Sequence, residues 1–149
     1  MPLPPERTRW TALFFWDEAV ALACGHRPCG QCRYRDHKRF MAAWAAAGLP
    51  GERAAEVDRV LHPARVTRTR QQVRFQAIAG DLPDGTFVLQ QSDAEAPLLI
   101  WNGALWHLAL HAETYVPTQL TSDSVTVLTP APIVEVLRNG YRPQVRLPR

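Results

Sequence analysis

The sequence predicts an α+β fold, helices first and strands after them, and three observations carry that prediction. Up to about residue 63, apolar residues recur at helical spacing between stops marked by Gly and Pro. Beyond residue 81 the period shortens to that of strands, around Leu82-Pro-Asp-Gly-Thr86 and Asn102-Gly103. Pro presets φ in such turns, Gly tolerates positive φ, and Asn-Gly is the strongest short hairpin signal. A last helical pattern opens at Thr129-Pro130. The expected layout is an N-terminal three-helix region, an antiparallel β-meander or small barrel, and a C-terminal helix. At 149 residues and 46% apolar content the chain fits one domain, helical over about 1–63 and β-rich over about 64–149.

Taken in order, the Pro-rich start reads as an arm and residues 11–16 as a short buried strand. Asp17 is a good N-cap, with Glu18 in the first turn of a helix that runs to Cys24. Gly25 is a natural C′ residue in the left-handed conformation, and Pro28 forbids continuation. A second helix is expected to start around Pro28–Gly30 and run to about Ala47, ended by Gly48-Leu-Pro-Gly51. Phe40, Met41 and Trp44 would form its core stripe, while Arg33, Arg35, Lys38 and Arg39 face outward. A third helix, 52–61, would bury Ala55, Val57 or Val60, and Leu61, with Pro63 as its end. Residues 64–74 read as an extended strand or a loop. Strands are expected over 86–90, 97–101, 104–110 and 124–128, with a loop over 91–96. Thr129 would cap the last helix, with Pro130 at its first position and Gly140 after its end. Gly25-His-Arg-Pro28 and Gly140-Tyr-Arg-Pro143 are similar strings, read as two alike helix C-caps. Trp101 and Trp106 lie at strand spacing and are expected in the core.

Net charge is +3, and Lys38 is the only lysine, so the excess cation is guanidinium. Arginine suits phosphate and carboxylate forks. No run approaches the ~20 apolar residues of a membrane span, so no membrane partner is expected. The N-terminus lacks the apolar stretch of a secretory signal, and the expected compartment is the cytoplasm, where thiols stay reduced. Three cysteines, an odd number, argue against a disulfide framework.

All three cysteines fall between Ala23 and Phe40, and the residues alone leave their chemistry open. Cys29-Gly-Gln-Cys32 is a CxxC that could supply two ligands to one zinc ion. Cys24, His26 and His37 are the further ligand candidates nearby. Cys29 and Cys32 could equally be a redox pair, one residue removed from a thioredoxin-type motif, although no βαβ pattern surrounds them. Pro28-Cys29-Gly-Gln-Cys32 and His111-Ala-Glu113 also match the two zinc-deaminase strings, in reversed order. Cys29 could act as a nucleophile with a histidine, His26, His107 or His111, as base and Glu113 nearby. Finally, the thiols could be plain small packing groups. His62, before Pro63, reads as a helix cap.

Two resemblances attach to these residues. LFFWDEAVALACGHRPCGQCR, over about 13–33, resembles the second half of the Ada-type zinc-binding DNA-repair domain. That resemblance implies Cys29 and Cys32 as zinc ligands and DNA as a partner. No cysteine precedes Cys24, so Ada-type methyl transfer is not implied. Over most of its length the chain also resembles a family of uncharacterised bacterial proteins. The shared stretches are 12–40, 56–65, 82–88 and 125–143. Cys24 stands where that pattern has alanine, and Ala12 where it has glutamate.

Two functions follow as expectations. One is a nucleic-acid-binding module using Arg65, Arg68, Arg70 and Arg74, with no cofactor or with one zinc ion. The other is a small metal-independent enzyme with a Cys/His pocket between the helical half and the sheet.

Overall fold

A computed structural model describes residues 16–91, 93–109 and 114–147. Three helices lead: α1 (Glu18–Ala23), α2 (Tyr34–Ala46) and α3 (Ala54–Arg65). Strands β1 (Phe75–Ile78), β2 (Phe87–Gln90), β3 (Asp93–Trp101), β4 (Ala104–Ala109), β5 (Thr114–Thr118) and β6 (Ser124–Val127) follow, and α4 (Ala131–Arg138) ends the order. The expected strand over 11–16 lies outside the described residues, Trp16 apart.

The sheet is antiparallel, six-stranded and open, in the order β1-β6-β2-β3-β4-β5. The expected meander exists from β2 to β5. It does not close into a barrel, because β6 returns to the opposite edge and pairs with β2 and β1. Trp101 pairs with Ala104 across Asn102-Gly103, both with positive φ, the type of turn their sequence requires.

Each sheet face has its own cover, which is why β2 is buried at every position. Phe87, Leu89, Leu99, Trp101 and Tyr115 pack with Ala19 and Val20 of α1 and with Val145 and Leu147 of the C-terminal segment. Val88, Leu98, Ile100, Leu105, Val125 and Val127 pack with Val134 of α4. The other side of α4, Ile133, Val136 and Leu137, joins Phe40, Trp44, Val57 and Leu61 of α2 and α3. α4 is therefore the hinge pin between the sheet and the helices. Trp101 is buried as expected, under the Arg142 guanidinium at 4.1 Å, while Trp106 is half-buried.

Asp17 and Glu18 are buried and serve as anchors for the chain's end. Asp17 caps α1 through the Val20 N–H at 2.9 Å and also accepts from the Tyr115 hydroxyl at 2.7 Å and the Arg146 N–H at 3.1 Å. Glu18 accepts from the Tyr141 hydroxyl at 2.6 Å, the Gln144 N–H at 2.9 Å and Arg33 at 2.6 Å. Arg33 therefore points inward, against expectation, because a buried carboxylate needs a partner.

Several boundaries differ from expectation, each for a physical reason. α2 starts at Tyr34 rather than at 28–30, because residues 30–33 form a separate turn. α3 runs past Pro63 to Arg65: the ring removes one helical N–H, yet the helix still closes with the Val66 N–H on His62 O at 3.1 Å. His62 thus lies inside the helix, and Ala55 is exposed. Thr129 does not cap α4. Its hydroxyl is buried and accepts from the Phe87 N–H at 2.9 Å, leaving Pro130 as the N-cap. The loop expected over 91–96 is mostly β3, whose Pro97 sits beside a register shift where a missing N–H costs little. β1 and β5 were not expected. β5 is an edge strand, so it tolerates Pro117.

Candidate functional site

The site begins with the end of α1. Gly25 has φ +84°, and the N–H groups of Gly25 and His26 bond to Leu22 O and Ala21 O, each at 2.9 Å. Gly140 repeats this pattern after α4, so the two similar strings are the same C-cap. A Cβ on Gly25 would lie 2.3 Å from Arg65 Cδ, so glycine here also makes room for α3.

The chain then runs along α3. Arg27 forks onto Asp58, with Nε to Oδ1 at 2.8 Å and Nη2 to Oδ2 at 3.0 Å. His37 Nδ1 lies 3.2 Å from Pro28 O, tying the loop to α2 as well. Between these ties the chain turns, closed by the Arg33 N–H on Cys29 O at 3.0 Å. The Cys32 N–H points at Cys29 Sγ, at 3.4 Å. Both cysteines are exposed, just before α2, and their thiols interact.

The result is a cleft of about 480 Å³. Gly25, His26, Arg27 and Cys29 form one wall, and Asp58, Leu61, His62 and Arg65 of α3 form the other. It lies within the helical layer, not between helices and sheet. N–H groups of Cys32 and Gln31, the Cys32 thiol and the Arg27 charge lower the Cys29 thiol to about 7. The neighbouring Cys29 raises Cys32. Burial raises Cys24, partly offset by Arg65. Burial, then the Arg65 charge, lower His26, and Asp58 partly offsets them.

Of the enzyme candidates among the described residues, the structure brings together Cys29 and His26. His107 is half-buried on β4, paired with Leu98 and Val116, in a different cleft with Gln90 and Thr118. His111 and Glu113 lie outside the described residues. Cys24 opens onto a neighbouring cleft with His26, Arg65 and Gln72. Among the described residues no group of three or more His, Cys, Asp or Glu is placed to hold a metal ion. Cys29 and Cys32 could supply two of the four ligands a structural zinc needs, and His26 shares the cleft with Cys29.

The arginine candidates gather around one small hairpin. Thr67 N–H bonds to Gln71 O at 2.8 Å, and Val66 bridges Gln72. Arg68 and Arg70 stand exposed at its tip, Arg74 is exposed just beyond it, and Arg65 leads into it from α3. Among the described residues none of the four has a carboxylate within ion-pair distance. Arg27, Arg33, Arg39, Arg138 and Arg142 each do. Among the described residues Arg35, Arg53, Arg59 and Arg146 also lack an ion-pair carboxylate, but none of them is on this hairpin. Arg70 has φ +63°, the left-handed region that favours glycine. Sequence reading missed this, since Arg68-Thr69-Arg70 carries no turn residue.

No family model, curated protein or solved structure matches the chain. Among the described residues no helix is long and apolar enough to cross a membrane.

Proposed function

We propose that the protein is a nucleic-acid-binding module that holds phosphates on Arg65, Arg68, Arg70 and Arg74, in a cytoplasmic setting. The observation that supports this most is the clustering of four arginines, with no carboxylate partner among the described residues, around one exposed hairpin. Arg70 adds a second argument. A non-glycine residue in the left-handed region costs roughly 1–2 kcal/mol. Keeping a cation there trades stability for charge, which is a mark of function rather than of packing. Phosphate contacts position a protein without reading bases, so binding is indifferent to sequence. Titration of labelled single-stranded and duplex oligonucleotides of unrelated sequence at low salt tests this. The expected result is binding to each with similar affinity. No binding to any of them ends the proposal.

The enzyme alternative draws on a different observation, that Cys29 and His26 share one cleft. The likeness to the Ada-type domain supports the nucleic-acid reading over it.

A further inference from the structure

Cys29 and Cys32 have no part in phosphate binding, yet the chain holds them in a defined arrangement. They flank one turn, three residues apart, with the Cys32 N–H on Cys29 Sγ and both exposed. The turn is braced on both sides, by Arg27 on Asp58 and by His37 at Pro28 O. Cys29 lines the cleft and Cys32 does not. That asymmetry separates an attacking thiol, open to a bound molecule, from a second thiol within reach of the first. The cleft's cations are Arg27, which Asp58 neutralises, and Arg65, which has no carboxylate partner among the described residues.

We propose that Cys29 and Cys32 are a thiol–disulfide exchange pair acting on small disulfides that carry carboxylates. Cys29 thiolate attacks one sulfur of the substrate disulfide. That S–S bond breaks, one half leaves as thiolate and takes a proton from water, and a mixed disulfide remains on Cys29. Cys32 then loses its proton and attacks Cys29 Sγ, forming Cys29–Cys32 and releasing the second half as thiol. Two electrons pass from the protein to the substrate. An external thiol reductant restores the dithiol. The exchange pair does not rest on nucleic-acid binding, although Arg65 belongs to both surfaces.

The test uses the full chain, reduced and freed of reductant, with glutathione disulfide as the anionic probe and cystamine as the cationic one. Mass spectrometry after alkylation reads the products. Wild type is expected to form the Cys29–Cys32 disulfide, leaving Cys24 to be alkylated. Cys32→Ser is expected to keep half of the probe on Cys29, and Cys29→Ser to lose the reaction. The anionic probe should react about ten-fold faster than the cationic one, the difference shrinking with added salt. A stable mixed disulfide on Cys29 in wild type, or faster reaction at Cys24, overturns the pair. So does zinc at one equivalent in untagged protein that shields both thiols. Equal rates for the two probes overturn the substrate class.

Discussion

Single residues divide into those whose chemistry faces inward and those whose chemistry faces out. Cys29 faces out. Its thiol sits near 7 because N–H groups and a neighbouring thiol favour the thiolate, whereas the thiols of Cys24 and Cys32 are raised. Cys29 should therefore be the first cysteine alkylated by iodoacetamide at pH 7. Its rate should rise with pH and reach half its maximum near that value. Peptide mapping after brief labelling checks this, and faster labelling of Cys24 contradicts it. Tyr115 and Tyr141 face inward, donating to buried Asp17 and Glu18. Burial, then the hydrogen-bonded carboxylate, raises both phenols well above the usual tyrosine range. The folded state holds these protons after the unfolded chain releases them, near pH ~10. The stabilisation is thus complete below pH ~10 and is lost as pH rises beyond it. Tyr141→Phe should cost about 1–3 kcal/mol at pH 7 by leaving a buried acceptor short of a donor. It should also lessen the loss between pH 9 and 11. Urea melts across that range decide it.

At the scale of elements, glycine positions that end helices were legible because their physics is local. Gly25, Gly48 and Gly140 all close a helix with positive φ. What differs is tertiary. Gly48 has nothing within 4 Å of a would-be Cβ, while at Gly25 the Arg65 side chain fills that space. Gly48→Ala should cost only the left-handed penalty, roughly 1–2 kcal/mol. Gly25→Ala should cost more, and a large part of its excess should vanish in an Arg65→Ala background. A double-mutant cycle by denaturant unfolding measures that coupling, and additive costs would contradict the contact. The start of α2 was less legible, because Pro28 is as good at opening a loop as a helix. Here a loop forms, and among its ties is Arg27 on Asp58, 31 residues away.

Across the whole molecule, the order of helices and strands, the 102–103 turn and the C-terminal helix could be read from periodicity. The placement of β6 between β1 and β2 could not, since strand order depends on which faces α1 and α4 cover. The cleft was half legible. Cys29 and His26 are close in sequence, but Asp58, His62 and Arg65 reach them only through the packing of α3. The four arginines could be picked out as a basic stretch, whereas the hairpin that gathers them and the left-handed Arg70 could not. That hairpin carries the central claim, and the salt dependence of binding tests it most directly. Four phosphate contacts on a single strand predict a slope of log K against log salt of about −2.8. The variant R68Q/R70G/R74Q keeps Arg65 against Gly25 and gives glycine to the left-handed position, so it should unfold no more readily than wild type. Its slope should be shallower by about 2.1. An unchanged slope in this folded variant, or a wild-type slope near zero, would contradict the account.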